Sequence, residues 1–198
     1  MKTFAIELLL HFGVSMLRLF VAAACTVLLA LPLGWAAHRC QLVRRAVQLF
    51  CAFPVMALLP VLMLLSGIGE VCKQLVLVLS GLWISSMRLC GAFTRLQAYL
   101  LPFTVNRFGW NGTLLGVILR FLQYDIAESF RRTFLVSITL LLFAENYGTR
   151  YGVGYFINRA WQAFDYVGVA WGILLAAAMG VCCNFLIEKT VRKNSEPF

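Results

Sequence analysis

Charge is scarce in this chain. Only 13% of its 198 residues are Asp, Glu, Lys or Arg, against about a quarter in a soluble globular domain. Acids are the scarcest, with eight Asp and Glu, and there are two histidines. His11 and His38 fall at opposite ends of the first apolar run. No paired carboxylates and no nucleophile–base constellation emerge from so little material, which argues against a membrane enzyme. A Gly-x4-Gly-Lys-Ser/Thr phosphate loop is absent, so the chain is not itself an ATPase. The seven cysteines (25, 40, 51, 72, 90, 182 and 183) include no Cys-x-x-Cys and no His/Cys ligand spacing. Most lie in apolar runs, where cysteine acts as a small hydrophobe, so no metal site and no bound cofactor is expected. Met1–Leu10 carries a Lys and a Glu and lacks a small-residue cleavage pattern, which argues against a removable signal peptide. The net charge of +9 could suggest nucleic acid. The basic residues instead flank hydrophobic runs, as in membrane proteins, which excludes that partner.

What the chain has is apolar length. Hydrophobic residues make up 62%. Leu19–Ala37, Ala46–Gly69 and Tyr166–Ile187 carry no charge over 19, 24 and 22 residues, and Gln74–Thr94 is broken only by Arg88. Roughly 20 apolar residues cross a bilayer as a helix. The expected fold is therefore an all-α membrane protein, one domain over 1–198. It has about five spans, near 13–37, 46–67, 72–94, 126–146 and 166–187, and a tail at 188–198. The fourth is the shortest in apolar terms. It begins with Asp125, Glu128, Arg131 and Arg132, whose arginines can snorkel to headgroups.

Basic residues set the orientation. The 38–45 loop, the segment from Arg88 to Arg132 and the tail hold twelve Lys and Arg; the other side holds four. The positive-inside rule then places the N-terminus outside and the tail in the cytoplasm. A sixth span over Leu96–Leu119 is disfavoured. It would leave no turn after the third span, and it would put Pro102, Arg107, Asn111 and Gly112 at its centre. Residues 96–122 are expected instead as a cytoplasmic segment of short helices joined around Gly109.

Two stretches carry a family resemblance. From His11 to Glu70, Ser15 to Arg18 lead into a helix, a basic turn follows, and a Pro54-x-x-Ala57-x-x-Pro60 helix ends in Gly67-Ile68-Gly69-Glu70. Later, Ala144-Glu145 precedes Tyr151-Gly152-Val153-Gly154-Tyr155-Phe156-Ile157, a last apolar run and a basic tail. These resemble the type I ABC importer permeases, the inner-membrane components of binding-protein-dependent systems for nitrate, sulfonates and taurine. The family motif residues are Ser15, Arg18, Gly67, Gly69, Glu70, Gly152 and Gly154.

The resemblance implies a permease subunit in a bacterial inner membrane, forming the path for a small solute, with an anion such as a sulfonate or nitrate among the candidates. It also implies partners: a separate ABC ATPase that binds the ATP, an extracytoplasmic solute-binding protein, and a second permease copy, as homo- or heterodimer. The family's coupling loop has the form Glu-Ala-Ala-x3-Gly and closes in Ile-x-Leu-Pro. Here Phe103, Thr104 and Val105 stand at the Glu-Ala-Ala positions, Gly109 at the glycine, and no proline closes the loop near Leu122. Trp110 is the candidate anchor for ATPase docking, since tryptophan dominates interface energetics. The degenerate loop keeps a second reading open, a non-transporting membrane subunit or scaffold derived from this family.

Four residues are path or gate candidates. Pro54 and Pro60 loosen one span, either as a kinked pore-lining helix or as a kinked packing helix. Glu145 is a gate or an interfacial helix end. Arg88 snorkels or meets an anionic solute.

Overall fold

A computed structural model of the chain describes residues 2–104 and 113–194. All regular structure among them is helical. Helix α1 spans Lys2–Arg39 and α2 Gln41–Cys51; a 3-10 turn at Val55–Leu58 leads to α3, Leu59–Ser66. Helices α4 (Glu70–Thr104) and α5 (Thr113–Ala144) follow, then a short α6 (Val153–Gln162) and α7 (Tyr166–Asn194). Three segments are long and apolar enough to cross a membrane: Ile6–Arg39, Glu70–Ala98 and Tyr166–Phe185. The α2–α3 pair makes a fourth if its two arms form one broken span.

Several boundaries depart from the sequence reading. The expected span 46–67 is not one kinked helix: its arms meet at 85°. Pro54 is the cause. It disfavours helical backbone at Phe53 and offers no N–H to continue the ladder. Pro60 sits in the first turn of α3, where the missing donor costs nothing. The tail expected from 188 continues α7 to Asn194. The short helices expected at 96–122 are not separate elements on the described side, because α4 runs unbroken to Thr104 and α5 starts at Thr113. Phe103 and Thr104 are the last residues of α4, while Val105, Gly109 and Trp110 lie outside the described residues. Helix α5 fails the hydropathy test as a span because its middle holds Asp125, Glu128, Arg131 and Arg132.

The core is built at helical spacing. Leu19, Ala22 and Ala23 of α1 meet Leu77 of α4, Phe134 and Leu141 of α5, Val153 of α6, and Met179 and Cys183 of α7. Small residues bring backbones close. A Cβ at Gly34 would stand 2.8 Å from Leu89 Cβ, and one at Gly81 would collide with the side chain of Thr133. Gly180 is looser, 3.7 Å from Ile138. Large apolar side chains face outward instead, among them Leu17, Leu28, Leu64, Leu65, Trp171 and Phe185. Such a surface suits lipid and would be a liability in water.

Cross-helix contacts fix the directions. Arg18 meets Glu70, Thr26 meets Val78, and His38 meets Thr94, so α1 and α4 run parallel. Ser85 meets Thr133, and Arg95 meets Asp125, so α5 runs antiparallel to α4. Helix α7 runs antiparallel to α5, since Gly180 faces Ile138 and Asn184 accepts from Arg131. Because α1 and α4 are parallel, the α2–α3 pair must carry the chain back along the bundle between them.

Candidate functional site

At one end of the bundle, four separated pieces of sequence close on one another. His11, Ser15 and Arg18 are spaced i, i+4, i+7 on α1, which puts them on one face. Glu70, Lys73 and Gln74 form the first turn of α4. Glu145 follows the last residue of α5. The loop after it leads into α6 through Gly152.

Arg18 is the hub. Its Nε and Nη2 donate to Glu70 Oε2 and Oε1, each at 2.6 Å, a bidentate pair. Its Nη1 donates to Glu145 Oε1 at 2.7 Å and to the Tyr151 carbonyl at 2.8 Å. Lys73 Nζ adds a 3.2 Å contact to Glu70 and a longer one to the Gly148 carbonyl. Two cations thus face two carboxylates. A buried pair survives only when such partners are complete.

Glu145 is wholly buried, 0% exposed. Its Oε1 also accepts from Ser15 Oγ at 2.7 Å, and its Oε2 accepts the Gly154 N–H at 2.8 Å. Ser15 Oγ in turn accepts the Val153 N–H, and His11 Nδ1 accepts the Gly152 N–H. These are the leading N–H groups of α6, which have no partner within the helix. The helix has no capping side chain of its own, because Gly152 is the N-cap. Helix α1 and a carboxylate supply the cap from outside, and the negative charge suits the positive end of the helix dipole.

Glycine is required at 152. Its φ is +138°, and a Cβ there would enter the Glu145 carboxylate. At Gly154 a Cβ would strike the Leu142 carbonyl. Gly67 ends α3 at φ +78°, and Gly69 follows it into α4. Ile68, between them, lies against Gly148 in the same cluster. Every motif residue from Ser15 to Gly154 therefore belongs to this clasp or to the turn that feeds it. Sequence reading missed His11 and Lys73 as members. The one-face spacing of His11 with Ser15 and Arg18 was the available signal.

Three of the four path candidates fall outside the clasp. Pro54 borders an apolar cleft of about 220 Å³ with Phe50, Phe53, Met56 and Trp83, where Phe50 and Trp83 stack at 4.6 Å. Pro60 is exposed. Arg88 lies at the middle of α4, roughly 27 Å from Glu70 at 1.5 Å per residue. There Asp125 takes Arg95 at 2.8 Å and Arg88 at 3.5 Å, while Arg88 Nε is buried without a partner. One turn on, Glu128 holds Arg131 and Arg132. Glu145, also a gate candidate, is saturated within the clasp. Among the described residues no three His, Cys, Asp or Glu side chains are grouped to hold a metal.

No protein-family model matches the chain, and no curated protein matches it.

Proposed function

We propose that this chain is a membrane-spanning permease subunit of an ATP-driven importer of the ABC type, providing the path for a small solute. The observation that carries the reading is the clasp. Ser15, Arg18, Glu70, Glu145, Gly152 and Gly154 were singled out by resemblance over 140 positions of sequence, and they are mutually bonded or in mutual steric contact. A chance likeness in apolar segments gives no reason for its polar residues and glycines to converge.

Helix direction supports five spans. Helices α1, α2–α3, α4, α5 and α7 alternate in direction along the bundle, including α5, whose acids Asp125 and Glu128 are buried and paired with arginines of α4 and of α5 itself. Orientation follows the basic residues: the clasp end outward, and the Arg95–Asp125 end in the cytoplasm of a bacterial cell. ATP is hydrolysed on a separate ATPase docked near 103–110. A solute-binding protein delivers cargo at the clasp end. A second copy completes the path, since five helices are too few to enclose a gated channel.

Co-expression with candidate ATPase subunits and pull-down from detergent tests the reading. Co-purification that a Gly109→Arg/Trp110→Ala double variant abolishes is the expected result. Failure of every ATPase to bind would favour the scaffold alternative, which the missing Glu-Ala-Ala residues motivate.

A further inference from the structure

Beside the clasp is a second cleft, of about 220 Å³, lined by Glu7, Leu10, His11, Arg150, Tyr151, Tyr155 and Arg159. Its chemistry differs from the rest of the surface. Two arginines face one acid. Arg159 reaches Glu7 at 3.4 Å, with both side chains more than half exposed, a pairing that contributes little. Arg150 makes no ion pair with any described residue, so its charge is uncompensated. His11 is 97% buried, being only 3% exposed. Its Nδ1 accepts the Gly152 N–H at 2.9 Å, so the ring hydrogen sits on Nε2. Among the described residues that donor has no hydrogen-bond partner, although the ring lines the cleft. Tyr151 and Tyr155 flank the imidazole, each with its ring centre 6.1 Å away. The clasp fixes this arrangement, because the bond that sets the His11 tautomer also caps α6.

We propose that this cleft binds a small oxyanion, a carboxylate, sulfonate or phosphate group, held by Arg150 and the His11 Nε2–H between two tyrosine rings. Arg159, half-engaged by Glu7, sets the outer edge. The volume is below the roughly 300–1,000 Å³ of sites for drug-sized ligands, so the ligand is small. The anion is a free solute or the phosphate of a lipid headgroup. The site's location on the solute-delivery face rests on the permease reading; binding itself does not.

The test is calorimetric titration of sodium ethanesulfonate, and separately inorganic phosphate, into the full chain in dodecyl maltoside micelles, which carry no phosphate. Saturable binding is expected, weakened at least tenfold by Arg150→Gln and largely retained by Arg150→Lys. Arg44→Gln, on exposed α2, should bind as the parent does. Repeating the titration in phosphatidylglycerol discs separates the sources: loss of ethanesulfonate binding there identifies the anion as a lipid phosphate, and unchanged binding identifies it as a solute. No saturable binding in the phosphate-free micelles, or equal binding by Arg150→Gln, overturns the proposal. Because no ATPase is present, a positive titration would stand even if the pull-down failed.

Discussion

Replacing Glu145 by glutamine is the sharpest perturbation of the clasp. The side chain keeps its shape and loses its charge. Glutamine can still accept from Ser15 and Arg18 through its oxygen. Its amide, however, meets the Gly154 N–H with a second donor, and Arg18 keeps only Glu70 as a counter-charge. Breaking one side of a buried ion pair costs about 3–5 kcal/mol, because the remaining charge is stranded. At about 2–4 °C per kcal/mol for a chain of this size, the melting temperature should fall by roughly 6–20 °C. Size-exclusion chromatography of detergent-solubilised protein after stepwise heating measures this. Glu7→Gln is the control. It removes an exposed 3.4 Å pair, worth about 0–1 kcal/mol. Equal shifts for the two variants would refute the clasp as a source of stability. A double-variant cycle sharpens the result. Arg18→Met with Glu145→Leu removes both charges together, so its cost should fall short of the sum of the singles by more than about 1 kcal/mol, as for directly bonded residues.

The same assay reads the glycine and acid substitutions that follow, and spin-label distances read the one at Pro54. Gly152→Ala should destabilise by several degrees, because positive φ and collision with Glu145 act together, whereas Gly13→Ala, in α1 with nothing within 4 Å, should raise stability by up to about 1 kcal/mol through helix propensity. Gly81→Ala should be destabilising despite the same propensity gain, since its Cβ meets Thr133 and Thr26; a neutral result would show that α4 can shift. Asp125→Asn strands Arg88 and Arg95 and should cost more than Glu128→Gln, whose partners Arg131 and Arg132 are more exposed than Arg88; the reverse order would remove Asp125 as the central partner at that end. Pro54→Ala should partly close the 85° bend, measured as a changed distance between spin labels on α2 and α3; an unchanged distance would assign the bend to packing rather than to proline.

Much of the fold was legible because hydrophobic length is a strong signal and charges punctuate it. Residues 19–37, 74–94 and 166–187 all lie inside long helices. Boundaries were less legible. Helix α1 begins at Lys2 rather than near 13: His11 is tolerated because its ring is buried against the start of α6, and Glu7 because it pairs at the surface with Arg159 of α6. The bend at Pro54 was read as a kink, since sequence names the weak point and not the angle. Helix α6 was missed, although Val153, Phe156, Ile157 and Ala160 repeat at i, i+3, i+4, i+7; its ten residues were masked by the glycines before it. The clasp was half legible. Its glycines and charges were identified by order along the chain, but nothing local says that residue 18 reaches both 70 and 145.

The two ion-pair clusters also constrain how the bundle can move. Helix α4 is continuous from Glu70 to Thr104. It is tied to α1 and the α5–α6 loop by Arg18 near its start, and to α5 by Arg95 and Arg88 some way along it. Sliding α4 against α1 would break Arg18–Glu70, and sliding it against α5 would break the Asp125 pairs, at points roughly 27 Å or more apart along the helix. Helices α1, α4 and α5 therefore act as one body, and the clasp is structural within it. Helices α2 and α3 carry no ion pair to that body among the described residues. They pack by apolar contacts such as Leu59 on Cys72 and Val76, and they are already broken at Pro54. Apolar contacts are non-directional and can be exchanged for others at small cost, whereas the clasp cannot. On the permease reading proposed above, an alternating-access cycle would spare the clasp and shift the arms around Pro54, so that Pro54 and its apolar cleft, rather than Glu145, would lie nearest to a moving gate.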